Sequence, residues 1–298
     1  MPATLVSGGT GLVGRFVVEA LLAAGHAVTL LGRTAPPAGF FPRATGFVEA
    51  ALDPGRDRSA AFAGIDFFVH AAFDHLPGRY RGGEGDDPAG FRRRNLDGSL
   101  ALFEQAKRAG VRRVVFLSSR AVYGRQPLGA VLAEDTPCHP DTLYGTVKHA
   151  AEQGLFGLGD AGFCAAALRI TGVYGPAAAN RAHKWQPLFD DFLAGRPVAP
   201  RVAGEVHGAD VGQAVRHVLA AAPGAVCGEV FNVADIVLDR HDLLALVGEA
   251  AGAGGPLPAR ADPAALNLMD TRKLRALGWR PGGMALLKRT VREMCARR

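Results

Sequence analysis

The first residues of the chain hold the pattern that most constrains its fold. Thr4-Leu5-Val6 predicts a short buried strand, which runs directly into a glycine-rich turn at residues 7–14. A helix is predicted straight after the turn and ends at Gly25. Its apolar face is formed by Val13, Phe16, Val17, Ala20 and Leu21. A strand, a glycine turn and a helix in this order predict a dinucleotide site, because the backbone can approach a pyrophosphate and the helix N-terminus directs amide donors at it.

Two glycine spacings fit this turn. Gly9, Gly11 and Gly14 match G-x-G-x-x-G, whereas Gly8, Gly11 and Gly14 match G-x-x-G-x-x-G. The turn alone therefore leaves open which type of dinucleotide-binding loop it is. In either case the predicted cofactor contacts are Gly8, Gly11, Leu12, Val13 and Gly14.

Tyr144 and Lys148 lie four residues apart and therefore share one face of a predicted helix. A nearby ammonium favours the ionised phenol and lowers the tyrosine pKa from its usual value of about 10, toward the range useful for acid-base catalysis. A buried strand predicted over Val114-Val115-Phe116-Leu117 leads to Ser119, at the sheet edge where open α/β folds bind ligands. We expect Ser119, Tyr144 and Lys148 to form the catalytic group.

These motifs together resemble the extended short-chain dehydrogenase/reductase superfamily, in the branch known as the NAD-dependent epimerase/dehydratase family. The resemblance covers nearly the whole chain. Further matching motifs are Val69-His70-Ala71-Ala72, Asn95-Leu96-Asp97-Gly98, Val173-Tyr174-Gly175-Pro176 and Leu277-Gly278-Trp279-Arg280-Pro281. The resemblance implies an α/β fold, with a Rossmann-type doubly wound parallel sheet and a smaller C-terminal substrate-binding domain.

The chain has room for both parts, since it has 298 residues of which 48% are hydrophobic. We expect the dinucleotide-binding domain to span residues 1–170, with a later return to it at residues 203–235. Residues 171–202 and 236–298 are expected to form most of the substrate-binding domain.

The resemblance also implies a role for each catalytic residue. Tyr144 moves the proton of a substrate hydroxyl, and Lys148 holds the nicotinamide ribose and tunes Tyr144. Ser119 donates a hydrogen bond to the reacting oxygen as charge develops on it.

Four more residues are expected at the cofactor: His70, Ala71, Ala72 and Asn95. His70 has two interpretations, either as part of the cofactor pocket or as a structural residue at the end of a strand. Asn95 is expected to brace the central sheet and the active-site loop, which is predicted at residues 73–89.

The end of the second predicted strand bears on the choice of cofactor. It reads Leu30-Leu31-Gly32-Arg33, with no carboxylate to receive the adenine ribose hydroxyls. The basic Arg33 favours NADP(H), and NAD(H) remains the alternative. Asp53 either reaches the adenine amino group or is a plain loop residue, since the following Pro54 departs from the family pattern.

Three departures from the family narrow the reaction. Dehydratases carry Asp-Glu after the active-site hydroxyl, where this chain has Arg120-Ala121, so the sequence disfavours dehydration. Gly172 and Ala203 stand where nucleotide-sugar epimerases have an Asn and an Arg that contact the nucleotide sugar. The sequence therefore favours a smaller substrate, such as a sugar, polyol or sugar acid. The predicted substrate contacts are Arg120, Thr171 and Lys184.

Three functions remain open at this point. The leading one is an NAD(P)-dependent dehydrogenase or reductase that transfers a hydride between the cofactor and a hydroxyl or carbonyl carbon. The second is a nucleotide-sugar epimerase that keeps its NAD(P). The third is a non-catalytic dinucleotide-sensing protein, which the presence of both Tyr144 and Lys148 disfavours.

Composition excludes other classes of partner. The net charge is +6, but the basic residues form no aromatic-interleaved platform of the kind that binds nucleic acid. No uncharged apolar run reaches the length of about 18 residues that suggests a membrane helix. We therefore expect a cytoplasmic enzyme with a small-molecule substrate and no nucleic-acid or membrane partner.

The four cysteines are scattered and show no metal-ligand spacing; they are Cys138, Cys164, Cys227 and Cys295. This pattern fits a reducing compartment, so we expect neither a structural disulfide nor a metal site. The family resemblance implies a homodimer, in which the helix over residues 91–109 and the Tyr144 helix pair with their mates. Leu96, Leu100 and Phe103 are candidates for that interface, although they fit packing against the sheet equally well.

Overall fold

Seven parallel strands form the central sheet of the computed structural model, which describes residues 1–76, 82–178 and 181–296. In spatial order, they are β3 (Gly46–Glu49), β2 (Ala27–Gly32), β1 (Ala3–Ser7), β4 (Phe67–His70), β5 (Arg113–Ser119), β6 (Cys164–Ile170) and β9 (Glu229–Val233). The strand order reverses direction between β1 and β4, which is the point where doubly wound sheets bind ligands. The predicted Rossmann-type fold is confirmed.

Helices connect the strands on both sides of the sheet. They are α1 (Leu12–Ala23), α2 (Pro88–Arg92), α3 (Gly98–Arg108), α4 (Leu143–Gly157), α5 (Gln186–Leu193), α6 (Gly208–Ala220), α7 (Pro223–Val226), α8 (Arg240–Ala251), α9 (Arg272–Ala276) and α10 (Gly283–Ala296). Short 3-10 helices cover Ser59–Phe62, Arg120–Tyr123 and Pro263–Ala265. Within the described ranges, every helix is too short or too polar to cross a membrane.

Alternate residues of each central strand enter different hydrophobic clusters. Leu5 of β1 and Phe68 of β4 belong to one cluster, while their neighbours Val6 and Val69 belong to the other. Since successive side chains of a strand point to opposite faces, the two clusters lie on the two faces of the sheet. This double burial explains why the strands are apolar throughout in the sequence.

A second, three-stranded sheet consists of β10 (Ile236–Asp239), β8 (Val202–His207) and β7 (Gly172–Tyr174). A separate hydrophobic cluster includes residues of α5, α8 and α10, among them Phe189, Leu244 and Leu287. The second sheet begins two residues after Ile170, where β6 ends, and so it extends from the carboxyl edge of the central sheet. The proposed division into two domains remains a prediction.

The helix predicted over residues 91–109 contains a π-helical turn at Arg93–Asp97, between α2 and α3. Such turns are frequent at functional sites, and this one carries Asn95. Leu96 and Phe103 are buried, and Leu100 packs on Gly154 of α4 in the same chain. Leu96 and Phe103 therefore pack inside the protomer, whereas Leu100 remains partly exposed. The homodimer stays a prediction.

The expectation of no disulfide is wrong, because Cys164 and Cys227 are bonded to each other. Cys164 begins β6, and Cys227 lies two residues before β9, its neighbour in the sheet. Strand pairing brings their Cα atoms within 4.8 Å, although 63 residues separate them in sequence. The sequence pattern could not predict this pairing, since it depends on which strand lies beside β6.

Loss of this bond should destabilise the protein. A disulfide that closes a loop of this length reduces the number of conformations open to the unfolded chain. It typically contributes about 2–4 kcal/mol to the free energy of unfolding. We expect Cys227→Ser to lower the free energy of unfolding by about that amount in urea titrations without reductant. The control, Cys138→Ser, changes an unbonded cysteine. Equal stability of Cys227→Ser and wild type, together with four titratable thiols in unfolded wild type, would show that the bond does not form.

Candidate active site

The glycine turn is shaped by close backbone approaches. Gly8 has a φ of +70°, and a Cβ there would lie 2.7 Å from the backbone of Ala72. A Cβ on Gly14 would overlap the carbonyl oxygen of Gly8. These backbone approaches favour the G-x-x-G-x-x-G spacing, although a Cβ on Gly9 would also lie 2.7 Å from the side chain of Leu30. Gly11 is the N-cap of α1 and has no side chain with which to cap it, so the first-turn amides of Leu12 to Gly14 remain suited to a pyrophosphate.

His70 lies in the interior of the protein, at the end of β4. It is completely buried, with Nδ1 2.6 Å from the Ser7 hydroxyl and Nε2 2.8 Å from the Ser99 hydroxyl. Burial, reinforced by the charge of Lys148, lowers the pKa of His70 to about 3, so the ring is neutral. This burial favours the structural interpretation of His70, while its assignment to the cofactor pocket stays a prediction.

The hydrogen bonds around His70 fix the tautomer of its ring. Ser99 donates its hydroxyl proton to the carbonyl of Asn95, so its oxygen accepts from Nε2 of His70. Nδ1 is then the acceptor, and the Ser7 hydroxyl donates to it. The Ser7 oxygen in turn accepts from the amide of Ala72 at 3.3 Å. A continuous chain of hydrogen bonds thus joins the glycine turn to the π-helical turn.

Asn95 holds the loop that follows β4. Its Oδ1 accepts from the amide of Asp74 at 2.6 Å, and its Nδ2 donates to the carbonyl of Asp74 at 2.7 Å. Asn95 is only 1% exposed, and it positions this loop. The expected bracing role fits these contacts, and a cofactor contact of Asn95 stays a prediction. Residues 77–81 of the predicted loop lie outside the described ranges.

Ser119 and the Tyr144 helix meet at the carboxyl end of β5. Ser119 is its last residue and is partly exposed, and its hydroxyl oxygen accepts from the amide of Ala121. Thr142 caps α4, which places Tyr144 in the first turn. Lys148, one turn later, donates from Nζ to the carbonyl of Leu117 at 2.7 Å. The structure thus places the three predicted catalytic residues around one strand end.

The ammonium group of Lys148 lies between two aromatic rings. Nζ is 4.5 Å from the ring centre of Phe73 and 4.6 Å from that of Phe116, and the residue is 3% exposed. Burial lowers the pKa of Lys148 to about 7, against the opposing effect of Glu152. The ring of Phe73 also contacts that of Tyr144, at 5.0 Å between centres. Phe73 therefore contacts both the ammonium group of Lys148 and the ring of Tyr144.

Ala71 and Ala72 follow β4 and are partly exposed beside the glycine turn. The amide of Ala71 donates to the carbonyl of Ser7, which continues the pairing of β1 and β4. These two small residues are therefore placed at the predicted dinucleotide site, with their backbone against Gly8.

A cavity of about 350 Å³ lies at the carboxyl ends of β2 and β3. It is lined by Arg33, Glu49, Ala50, Ala51, Asp53, Arg56 and Arg58. Arg33 is well exposed and pairs with Asp74 at 3.2 Å. Asp53 accepts from the amide of Gly55 and lies 3.8 Å from Arg56. Nε of Arg58 is buried and has no hydrogen-bond partner among the described residues.

This cavity is suited to the adenosine end of a dinucleotide, since it lies at the carboxyl ends of β2 and β3, on the same sheet edge as the glycine turn after β1. Arg33 and Asp53 were both expected there. Arg56 and Arg58 were missed, although two basic residues shortly after the third predicted strand were a usable signal. Together with the glycine turn and the α1 N-terminus, they show that the residues present fit a dinucleotide.

The predicted substrate residues differ in whether their polar groups already have partners within the protein. The Thr171 hydroxyl donates to the carbonyl of Gly204 at 2.8 Å, which ties it to the second sheet. Lys184 forms an ion pair with Glu205 of β8. Arg120 follows Ser119 directly, and its Nε is buried without a hydrogen-bond partner in the described part of the chain. Glu205 was missed, because its partner is distant in the sequence.

The fold and this group of residues define an enzyme of the short-chain dehydrogenase/reductase class. The model of the NAD dependent epimerase/dehydratase family matches residues 4–234, and the chain belongs to that family. The predicted resemblance is confirmed.

Two curated relatives illustrate the range of activities. A UDP-glucose 4-epimerase of Corynebacterium glutamicum is 27% identical over 311 residues, covering 93% of this chain and 90% of that protein. A 3-beta-hydroxysteroid dehydrogenase of Mycolicibacterium neoaurum is 31% identical over 202 residues, covering 64% of this chain and 52% of that protein. Both are enzymes, and so is this chain.

Two solved structures are similar along almost their whole length. The UDP-glucose 4-epimerase of Thermus thermophilus, in complex with NAD, is 27% identical with a TM-score of 0.79. MoeE5, in complex with UDP-glucose and NAD, is 25% identical with a TM-score of 0.80. In both cases 99% of each chain is covered. These similarities favour the epimerase alternative over the dehydrogenase that the sequence placed first.

The buried Lys148 makes stability depend on pH. Its pKa is about 7 in the folded protein and about 10.4 when exposed in the unfolded chain. Above pH 7 the unfolded state therefore binds more protons, and the free energy of unfolding rises with pH by up to about 1.4 kcal/mol per unit. Below pH 7 the full cost of burying the charge is present.

We expect Lys148→Met to be more stable than wild type near pH 6.5, with the difference shrinking toward about pH 9.5. Urea unfolding at several pH values measures this trend. Lys288→Met removes an exposed lysine and should leave the pH dependence as in wild type. A difference between Lys148→Met and wild type that stays constant with pH would contradict the description of Lys148 as a buried, easily deprotonated group.

Proposed function

We propose that this protein is a UDP-sugar 4-epimerase that retains its nicotinamide cofactor through the reaction. The observation that carries the proposal is the position of Ser119, Tyr144 and Lys148 around the end of β5. It is supported by the end-to-end similarity to a UDP-glucose 4-epimerase in complex with NAD and to MoeE5 in complex with UDP-glucose and NAD.

Each residue has a defined task in this reaction. The Tyr144 oxygen takes the proton of the sugar C4 hydroxyl and returns it when the hydroxyl forms again. The Ser119 hydroxyl donates a hydrogen bond to the same oxygen while it carries charge. Lys148, in its protonated form, stabilises the Tyr144 phenolate. A nicotinamide bound at the glycine turn would supply the hydride acceptor and donor for C4 of the sugar, so that no net oxidation would occur.

We propose NADP(H) as the preferred cofactor, with NAD(H) as the alternative. The support is the cavity beyond β2 and β3, where Arg33, Arg56 and Arg58 supply three guanidinium groups. Guanidinium groups bind phosphate through charge-assisted hydrogen bonds, and the 2′-phosphate distinguishes NADP(H) from NAD(H). The NAD found in the similar structures supports the alternative.

Removal of Arg33 should distinguish these cofactors. We expect Arg33→Ala to lower the affinity for NADP(H) by roughly 10-fold, the usual effect of losing one charge-assisted contact. The affinity for NAD(H) should remain nearly unchanged. Fluorescence titration of the reduced cofactors measures both affinities. Arg43→Ala is the matched control, because Arg43 donates to the carbonyl of Leu22 outside this cavity. Equal losses for both cofactors with Arg33→Ala would contradict a 2′-phosphate contact.

A second candidate is a dehydrogenase or reductase that acts on a small substrate. Gly172 and Ala203 favour it, because they replace two side chains with which related epimerases contact the nucleotide sugar. Net cofactor turnover separates the two candidates, since a dehydrogenase consumes one cofactor per substrate and an epimerase consumes none.

The direct test incubates purified protein with UDP-glucose and with UDP-galactose and follows the sugar products by chromatography. We expect interconversion with no net change in cofactor absorbance. Tyr144→Phe should lower the rate by at least about 100-fold while cofactor binding is retained. Thr146→Ala, an exposed position on the same helix, is the control. Stoichiometric cofactor reduction with a small alcohol, and no interconversion, would favour the dehydrogenase.

A further inference from the structure

The missing side chain at Gly172 leaves space that two charged residues occupy. A Cβ on Gly172 would lie 2.6 Å from Oε2 of Glu205 and 2.7 Å from Nζ of Lys184. Glu205 is also the register partner of Gly172 between β7 and β8. Any residue other than glycine would therefore have to displace the Lys184–Glu205 pair, so Gly172 is part of how this pair is accommodated.

The pair lies close to the catalytic strand end. Gly172 is two residues beyond Ile170, and Ile170 is the register partner of Ser119 between β6 and β5. The segment that carries Lys184 is also attached to the glycine turn, since Arg181 donates to the carbonyl of Thr10 at 3.0 Å. Lys184 is therefore held near both the predicted dinucleotide site and Ser119.

The environment of the pair suits a binding role. The Glu205 side chain is 8% exposed, whereas that of Lys184 is 24% exposed. Burial lowers the pKa of Lys184 and raises that of Glu205, against their mutual attraction. A pair buried to this degree contributes little net stability, because desolvation offsets the attraction. Stability alone therefore gives little reason to place two charges here.

The ammonium group of Lys184 has capacity for a ligand. An ammonium has three N–H donors, and within the described residues the hydrogen bond to Glu205 accounts for one of them. The exposed fraction lies on the Lys184 side of the pair, while Glu205 limits the positions that Nζ can take. The charge of Arg201 acts on both members of the pair and adds to the positive field. Phosphate oxygens are the ligands that such a fixed cation favours.

We propose that Lys184, oriented by Glu205 and accommodated by Gly172, binds the diphosphate of the substrate. This inference rests on the proposed function, because it assigns the sugar nucleotide a contact within the same site. It changes the meaning of Gly172: the residue does not mark the loss of a substrate contact, but makes room for a different one. Lys184 is the binding residue, and Glu205 is a positioning residue.

The test is calorimetric titration of UDP into cofactor-loaded protein. We expect Lys184→Met to lower the affinity for UDP by roughly 10- to 100-fold, the scale of a lost charge-assisted hydrogen bond. Glu205→Gln should lower the affinity for UDP less, because Lys184 remains but is no longer oriented by a carboxylate. Gly172→Ala should also lower the affinity for UDP, since the added Cβ displaces the Lys184–Glu205 pair. For each variant we expect the KM for UDP-glucose to rise more than kcat falls.

The controls separate this inference from the function on which it rests. Lys107→Met removes a lysine of α3 that pairs with Asp160, and should leave UDP affinity unchanged. Unchanged UDP affinity in Lys184→Met, with interconversion of UDP-sugars intact, would overturn the inference alone. Failure of wild type both to bind UDP and to interconvert UDP-sugars would overturn the proposed function and the inference together. If Lys184→Met does not bind cofactor, the double variant Lys184→Gln with Glu205→Gln, which removes both charges, takes its place.

Discussion

The hydrogen bonds of the buried His70 hold together the parts on which the site depends. Through Ser7 and Ser99, its neutral ring connects the amide of Ala72 to the carbonyl of Asn95. The side chain of Asn95 then fixes the backbone of Asp74. Within this series of hydrogen bonds, each of the side chains of Ser7, His70 and Ser99 has a partner, and removing one would leave another unsatisfied at a cost of about 1–3 kcal/mol. The close approach of Gly8 to Ala72, which shapes the dinucleotide turn, depends on this connection.

The same sheet edge brings acid-base chemistry beside that turn. Parallel strands end at a common edge, so the end of β5 with Ser119 lies next to the end of β4 with Ala71 and Ala72. Lys148 is attached to β5 through the carbonyl of Leu117, which sets the position of the Tyr144 helix relative to Ser119. The second sheet starts after the neighbouring strand β6, and its strand β8 carries Glu205, which pairs with Lys184 in the segment before α5. One topology therefore places the glycine turn, the predicted catalytic residues and the candidate substrate contacts together.

The sequence predicted those features that depend on neighbouring residues. The apolar runs gave the central strands, the glycine spacing gave the turn, and the four-residue interval gave the shared face of Tyr144 and Lys148. It could not predict features that depend on which distant segments meet. The bond between Cys164 and Cys227 requires β9 to lie beside β6, and the pair at Gly172 requires β8 to lie beside β7. Gly172 was therefore interpreted as a lost contact, because the sequence alone cannot show what fills the space beside a glycine.

In the reaction that we propose, Tyr144 and its neighbours support removal and return of a hydride at one carbon of a sugar nucleotide. This can be followed with UDP-galactose that carries deuterium at C4, in ordinary water and with excess unlabelled cofactor present. We expect UDP-glucose that retains the deuterium at C4, with none in the free cofactor pool. Deuterium in the free reduced cofactor, or its loss from an epimerised product, would contradict the proposed reaction.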